Sequence, residues 1–192
     1  MGGFGISNTD DLLLVEDIRL VRQRCSSVSV QFDDVAVADF FDEQVDQGRQ
    51  LSQFGRIWVH SHPGQSAQPS GVDEETFARC FGGADWTVML IVARDGQTYA
   101  RLQFNVGPGG SLQIPVDTDF SLPFPGADHP SWDKEYFDTV QEEPEWLPSG
   151  GFNDLGFWEN DATDSLVDRG FSDVLGAFGD SERDHLIEED NQ

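Results

Sequence analysis

The stretch from His60 to Asp73, reading HSHPGQSAQPSGVD, constrains this chain more than any other. The run Arg56–His62 ahead of Pro63 is β-branched and aromatic, which predicts a strand. Along a strand, residues i and i+2 share a face, so His60 and His62 point the same way with Trp58 beside them, while Ile57 and Val59 face the core. Pro63 has no N–H to give to a ladder; the strand ends there and passes into a polar Gly/Ser/Gln/Pro loop. Ser70, followed by Asp73, Glu74 and Glu75, reads as a helix start, with a capping serine and acids in the first turn. Two imidazoles on a rigid strand end and a carboxylate returned by a short loop are three protein ligands with a fourth position open. Catalytic zinc uses that arrangement.

The pattern HxHP, then S-x-x-D with ten residues between the second histidine and the aspartate, resembles the JAMM (JAB/MPN-type) metalloproteases. These are zinc isopeptidases that cleave after the C-terminal glycine of ubiquitin or ubiquitin-like proteins. The resemblance covers roughly residues 2–117. It implies that His60, His62 and Asp73 bind one zinc ion per chain and that Ser70 helps hold the oxyanion as a catalytic residue. It also implies a ubiquitin-like protein, or its extended C-terminal tail, as substrate. Family members take their general base from a glutamate on an upstream segment, just ahead of a stretch of small residues. Here that stretch is Gly2–Ser7, which puts the expected glutamate at or before Met1 and outside this sequence. The expectation is a chain that begins downstream of the true start; the alternative is a natural variant that holds a ubiquitin-like tail without cleaving it. Glu16 is the best substitute base inside the chain, and Glu43 is expected on a helix surface.

Charge narrows the partners. The 192 residues carry 36 Asp and Glu against 11 Lys and Arg, a net of −25. Such a chain repels phosphate backbones and anionic lipid, so neither nucleic acid nor a membrane surface is an expected partner. No apolar run of about 18 residues exists and no secretory leader is recognisable, which points to a cytoplasmic protein. Cys25 and Cys80 are too few for a disulfide framework and are expected reduced and packed. An amidohydrolase also uses HxH at a strand end, but needs a longer barrel and further ligands. His129, in an Asp-His-Pro turn, and His185, in an acidic terminal helix, read as surface residues.

The remaining chain predicts an α/β architecture, a mixed central sheet flanked by helices, as the JAB/MPN (cytidine-deaminase-like) resemblance also implies. Gly2–Ser7 is too glycine-rich for a stable helix. Residues 12–21 alternate as a strand, with Leu12, Leu14, Ile18 and Leu20 on one face, and Val28–Phe32 as a second. Asp33 and Asp34 cap a helix on which Val37, Phe41 and Val45 recur before Gly48 stops it. A helix over 70–81 turns Phe77 and Phe81 inward. Trp86–Ala93 is a continuous apolar run and predicts a central strand covered on both faces. Two alternating strands follow, Thr98–Val106 and one carrying Leu112, Ile114 and Val116, each after a turn.

Residues 1–125 thus form the expected metalloprotease-like domain and 126–192 an acidic extension with net charge −16. The boundary falls in the proline-rich turn at 122–126. The extension carries Trp132, Tyr136, Phe137, Trp146, Phe152, Phe157 and Trp158, and a helical stripe of Val167, Phe171, Val174 and Phe178. That is too aromatic for a plain disordered tail. Its segments are expected to cover apolar surface of the core, or to dock a partner or shield the site.

Overall fold

The structure, a computed structural model, describes residues 1–27, 29–121 and 128–143. The stripe at 167–178, Trp146, Phe152, Phe157, Trp158, His185 and the turn at 122–126 lie outside these residues, as does Val28.

The chain opens on β1 (Gly2–Ser7), every residue of which is buried. The small residues have a reason: a Cβ on Gly3 would stand 2.4 Å from the carbonyl oxygen of Arg19 in the neighbouring strand. That neighbour is β2 (Val15–Leu20), antiparallel to β1, with Gly3 opposite Leu20 and Gly5 opposite Ile18. The strand expected from residue 12 thus begins three residues later. The Asn8 side chain accepts from the amides of Asp10 and Asp11, and Asn8 N–H bonds to Leu14 oxygen, so Leu12–Leu14 belong to a turn closed by polar side chains. Two three-residue strands follow, β3 (Gln23–Cys25) and β4 (Val30–Phe32).

Helix α1 (Asp34–Asp46) is capped by Asp33, whose carboxylate accepts from Ala36 N–H. It buries Val37, Phe40, Phe41 and Gln44, whereas Val45, expected on the inner stripe, is half exposed. The inward face is rotated toward Phe40 because that ring stacks on Phe4, at 5.0 Å between centroids. After Gly48, at φ 79°, a single turn α2 (Leu51–Phe54) inserts Phe54 beneath α1. Then come β5 (Ile57–His62), α3 (Gly71–Phe81), β6 (Trp86–Ala93), β7 (Thr98–Phe104) and β8 (Gly110–Ile114). Helix α4 (His129–Thr139) and β9 (Val140–Glu142) complete the described residues.

The main sheet runs β2-β1-β5-β6-β7-β8, and a second runs β4-β3-β9. The β5–β6 pair is parallel, with α3 as its crossover, and the other pairs of the main sheet are antiparallel, so the sheet is mixed. β6 is an interior strand, as its apolar run predicts. The helices cover one face: Phe4, Trp58, Met89 and Ile91 from the strands pack with Phe41, Phe54, Phe77 and Phe81 from α1, α2 and α3. Each such fully buried side chain contributes about 1.5–3 kcal/mol. The opposite face carries a smaller cluster of strand residues alone, Ile57, Val59 and Val88 with Trp86, Leu90 and Leu102. No described helix contributes to it, and Val92 and Phe104 on that side are exposed, so the two-sided cover expected for β6 is found on one side only. Cys25 and Cys80 are both buried and form no disulfide. No helix among the described residues is long and apolar enough to cross a membrane.

Candidate metal centre

β5 and α3 bring three side chains together. Register fixes the first two: His60 lies between Gly2 of β1 and Ile91 of β6, and His62, two residues on, pairs with Ala93 of β6. Trp58 stacks on the His60 ring at 4.2 Å between centroids and 27° between planes. Phe77 and Phe81 lie behind the indole, at 6.3 and 6.0 Å. An aromatic column rooted in α3 therefore sets the plane of the first imidazole. His62 is set differently. Its Nδ1 lies 2.9 Å from the carbonyl oxygen of Ser66. A carbonyl only accepts, so Nδ1 carries the proton and the Nε2 lone pair is left to point at the site.

The third side chain is held by the helix start. Ser70 Oγ accepts from Asp73 N–H at 3.2 Å, and Asp73 Oδ2 accepts from Ser70 N–H at 2.6 Å, a reciprocal cap. The cap turns the carboxylate back toward β5. His60 Nε2 then stands 3.2 Å from Asp73 Oδ1, and His62 Nε2 stands 3.3 Å from Asp73 Oδ2. Ligands around a tetrahedral ion at bond lengths of about 2.0–2.1 Å are spaced by about 3.3 Å.

His60 has a further peculiarity. The residue is 4% exposed, yet neither ring nitrogen has a hydrogen-bond partner, because the contact to Asp73 lacks hydrogen-bond geometry. Buried polar atoms are nearly always paired, so an orphaned Nε2 facing a carboxylate fits the donor set of a cation. Burial, the dominant cause, holds the imidazole at a pKa of about 4, with the neighbouring His62 acting in the same sense against the attraction of Asp73. The ring is neutral at pH 7 and its lone pair is available. Burial pushes the Asp73 carboxyl up, but the Ser70 hydrogen bonds and both imidazoles more than offset this and hold it below the usual carboxylate range.

His60, His62 and Asp73 are thus a group that could hold a metal ion. They line a groove of about 1080 Å³ with Ser70 at its rim. Ser70 Oγ accepts from Asp73 N–H, and the Ser70 side chain also acts on the Asp73 carboxylate. The other candidates lie elsewhere. Glu16 is an exposed residue of β2, bonded to the Asn8 side chain, and is separated from β5 by β1. Glu43 is exposed on α1, paired with Gln47. His129 is exposed on α4 against Trp132.

Sequence reasoning missed one wall of the groove. Tyr136, Glu142 and Glu143 line it from α4 and the end of β9, facing Cys25 and Ser26 at the end of β3. A three-residue strand has no periodicity to read, and its partner lies more than a hundred residues away in the chain. Only the aromatic content of the extension hinted that it returns to the fold. Comparison with family models and with characterised proteins finds no match for this chain.

Proposed function

We propose that this chain is a zinc-dependent isopeptidase of the JAMM type, acting on the C-terminal glycine linkage of a ubiquitin-like protein. The observation that carries the reading is the convergence of His60 Nε2, His62 Nε2 and the Asp73 carboxylate at 3.2 and 3.3 Å, inside a groove open to solvent. Zinc, when bound, supplies Lewis acidity toward a carbonyl and toward water.

The chain's own residues do the rest. The Trp58 stack and the Ser66 carbonyl fix the orientation of the two imidazoles. Asp73 adds one negative charge, fixed by the helix cap. Ser70 presents a hydroxyl proton to the oxygen on which charge develops as a scissile carbonyl is attacked, the role of an oxyanion donor.

A second reading, a binding module that holds such a tail without cutting it, has one observation in its favour. Among the described residues no second carboxylate joins the three-residue group, and hydrolysis needs a positioned base worth about 10²–10⁴-fold. The test is cleavage of a linear ubiquitin-like fusion by the zinc-loaded full chain, run beside a binding assay with the same fusion. Zinc-dependent release after the terminal glycine supports the enzyme. Binding without release supports the module, and neither would overturn both.

A further inference from the structure

The site's ligands come from β5 and α3, but the groove around them is walled on one side by a segment from much later in the chain. β3 is the middle strand of the small sheet, with β4 on one side and β9 on the other. β9 runs parallel to β3, Gln23 beside Val140, Arg24 beside Gln141 and Cys25 beside Glu142, and the ladder ends where Glu143 N–H donates to Cys25 oxygen at 2.8 Å. Polarity is the informative feature. Because both strands run the same way, the C-terminal end of β9 is the end that enters the groove, next to Cys25 and Ser26 and in the cavity that holds His60, His62 and Asp73.

The segment is lightly fastened. α4 has no buried residue, Trp132 and Phe137 on it are 53% and 78% exposed, and the last two residues of β9 are exposed. One side-chain bond ties it to the rest of the chain beyond the three-residue ladder, Leu20 N–H donating to Glu135, while the Tyr136 hydroxyl donates to Glu142 within the segment itself. A short ladder with few buried apolar contacts is what opens first in a folded protein.

We propose that β9 occupies, within the chain itself, the track along β3 by which an extended C-terminal tail reaches the metal group, so that release of residues 128–143 opens the site. A tail that adds to β3 in β9's place delivers its C-terminal end toward His60, His62 and Asp73, by the strand-addition mode of peptide recognition. The proposal rests on the functional reading above for the nature of the tail, but not on hydrolysis.

The test uses the full chain and a fluorescent peptide carrying residues 136–143 as probe, followed by anisotropy with and without zinc. Glu135→Ala removes the side-chain tie to β2; Glu142→Cys puts a thiol opposite Cys25 for oxidative locking. The released variant is expected to bind the probe about tenfold more tightly than the unaltered chain. The locked variant should not bind until reductant is added, which also shows that it is folded. Equal binding by all three forms, binding by the locked form, or failure of the cysteine pair to close would overturn the proposal. A chain that never cleaves but obeys this order of binding loses the isopeptidase reading alone; one that cleaves while ignoring the arm loses only this inference.

Discussion

Asp73 has two roles in the same carboxylate: it faces two imidazoles, and its Oδ2 closes the helix cap with Ser70. Substitutions separate them. Ser70→Ala removes the acceptor for Asp73 N–H and should cost about 1 kcal/mol of stability, read by urea denaturation, while zinc content stays at one per chain. Asp73→Asn keeps a side chain that can accept from Ser70 N–H but loses the charge, so bound zinc should fall at least tenfold with little change in helix content. His60 gives the pH prediction. Its folded pKa of about 4 lies below its ordinary value of 6.5, so between these values the unfolded chain binds the extra proton. Stability of the metal-stripped protein should therefore fall as pH drops from about 6.5 to about 4 and level off below, and His60→Gln should flatten that slope in a pH series of melting curves. These residues were legible in advance because strand period, proline stop and cap signature all fall within one short stretch. Each is a local rule that needs no knowledge of distant contacts.

At the scale of elements, the position of α3 decides whether that local pattern becomes a site. Arg101 of β7 grips Glu74 on the helix's first turn through two bonds of 2.7 Å and lies over the Phe77 ring at 5.4 Å. Glu74 is half exposed, so the ion pair itself is worth little; the contact matters by fixing where the helix starts relative to β5 and β6. Arg101→Ala should weaken zinc affinity several-fold, measured by competition with a chelator, with only a modest loss of stability. β1 is under a different constraint. Gly3→Ala would drive a Cβ onto the Arg19 carbonyl and should cost about 1–3 kcal/mol in denaturant melts. The strands with a clean period, β5 to β8, were readable from sequence. β3, β9 and α2 were not: three or four residues carry no period, and their partners are set by tertiary contact. The start of β2 was misplaced because a leucine run was weighed without the Asn8 side chain that folds it into a turn. Val45 was misassigned for a related reason: Phe40 makes better ring contacts and turns the helix toward itself.

Across the whole molecule, a net charge of −25 works against compactness. Residues 126–192 hold −16 of it, and the part of them that is described, α4 and β9, returns to the groove rather than away from it. Screening should then stabilise the chain: its melting temperature is expected to rise by several degrees between 0.01 M and 1 M salt, as the Debye length shrinks from about 30 Å to about 3 Å. An unchanged melting temperature would mean that the acids are already spaced widely enough not to repel. The mixed sheet and its helices were visible in the order of patterns along the chain, whereas the one-sided helical cover and the return of residues 128–143 depend on contacts that no linear pattern records. The proposed function depends on one ion held by three side chains. X-ray absorption at the zinc edge, on the full chain loaded with zinc and dialysed, tests that most directly. The account predicts one zinc per chain with two imidazole nitrogens at about 2.0–2.1 Å, the remaining ligands oxygen, and loss of one nitrogen shell in His62→Ala. Zinc that washes away, or that binds without histidine, would contradict it.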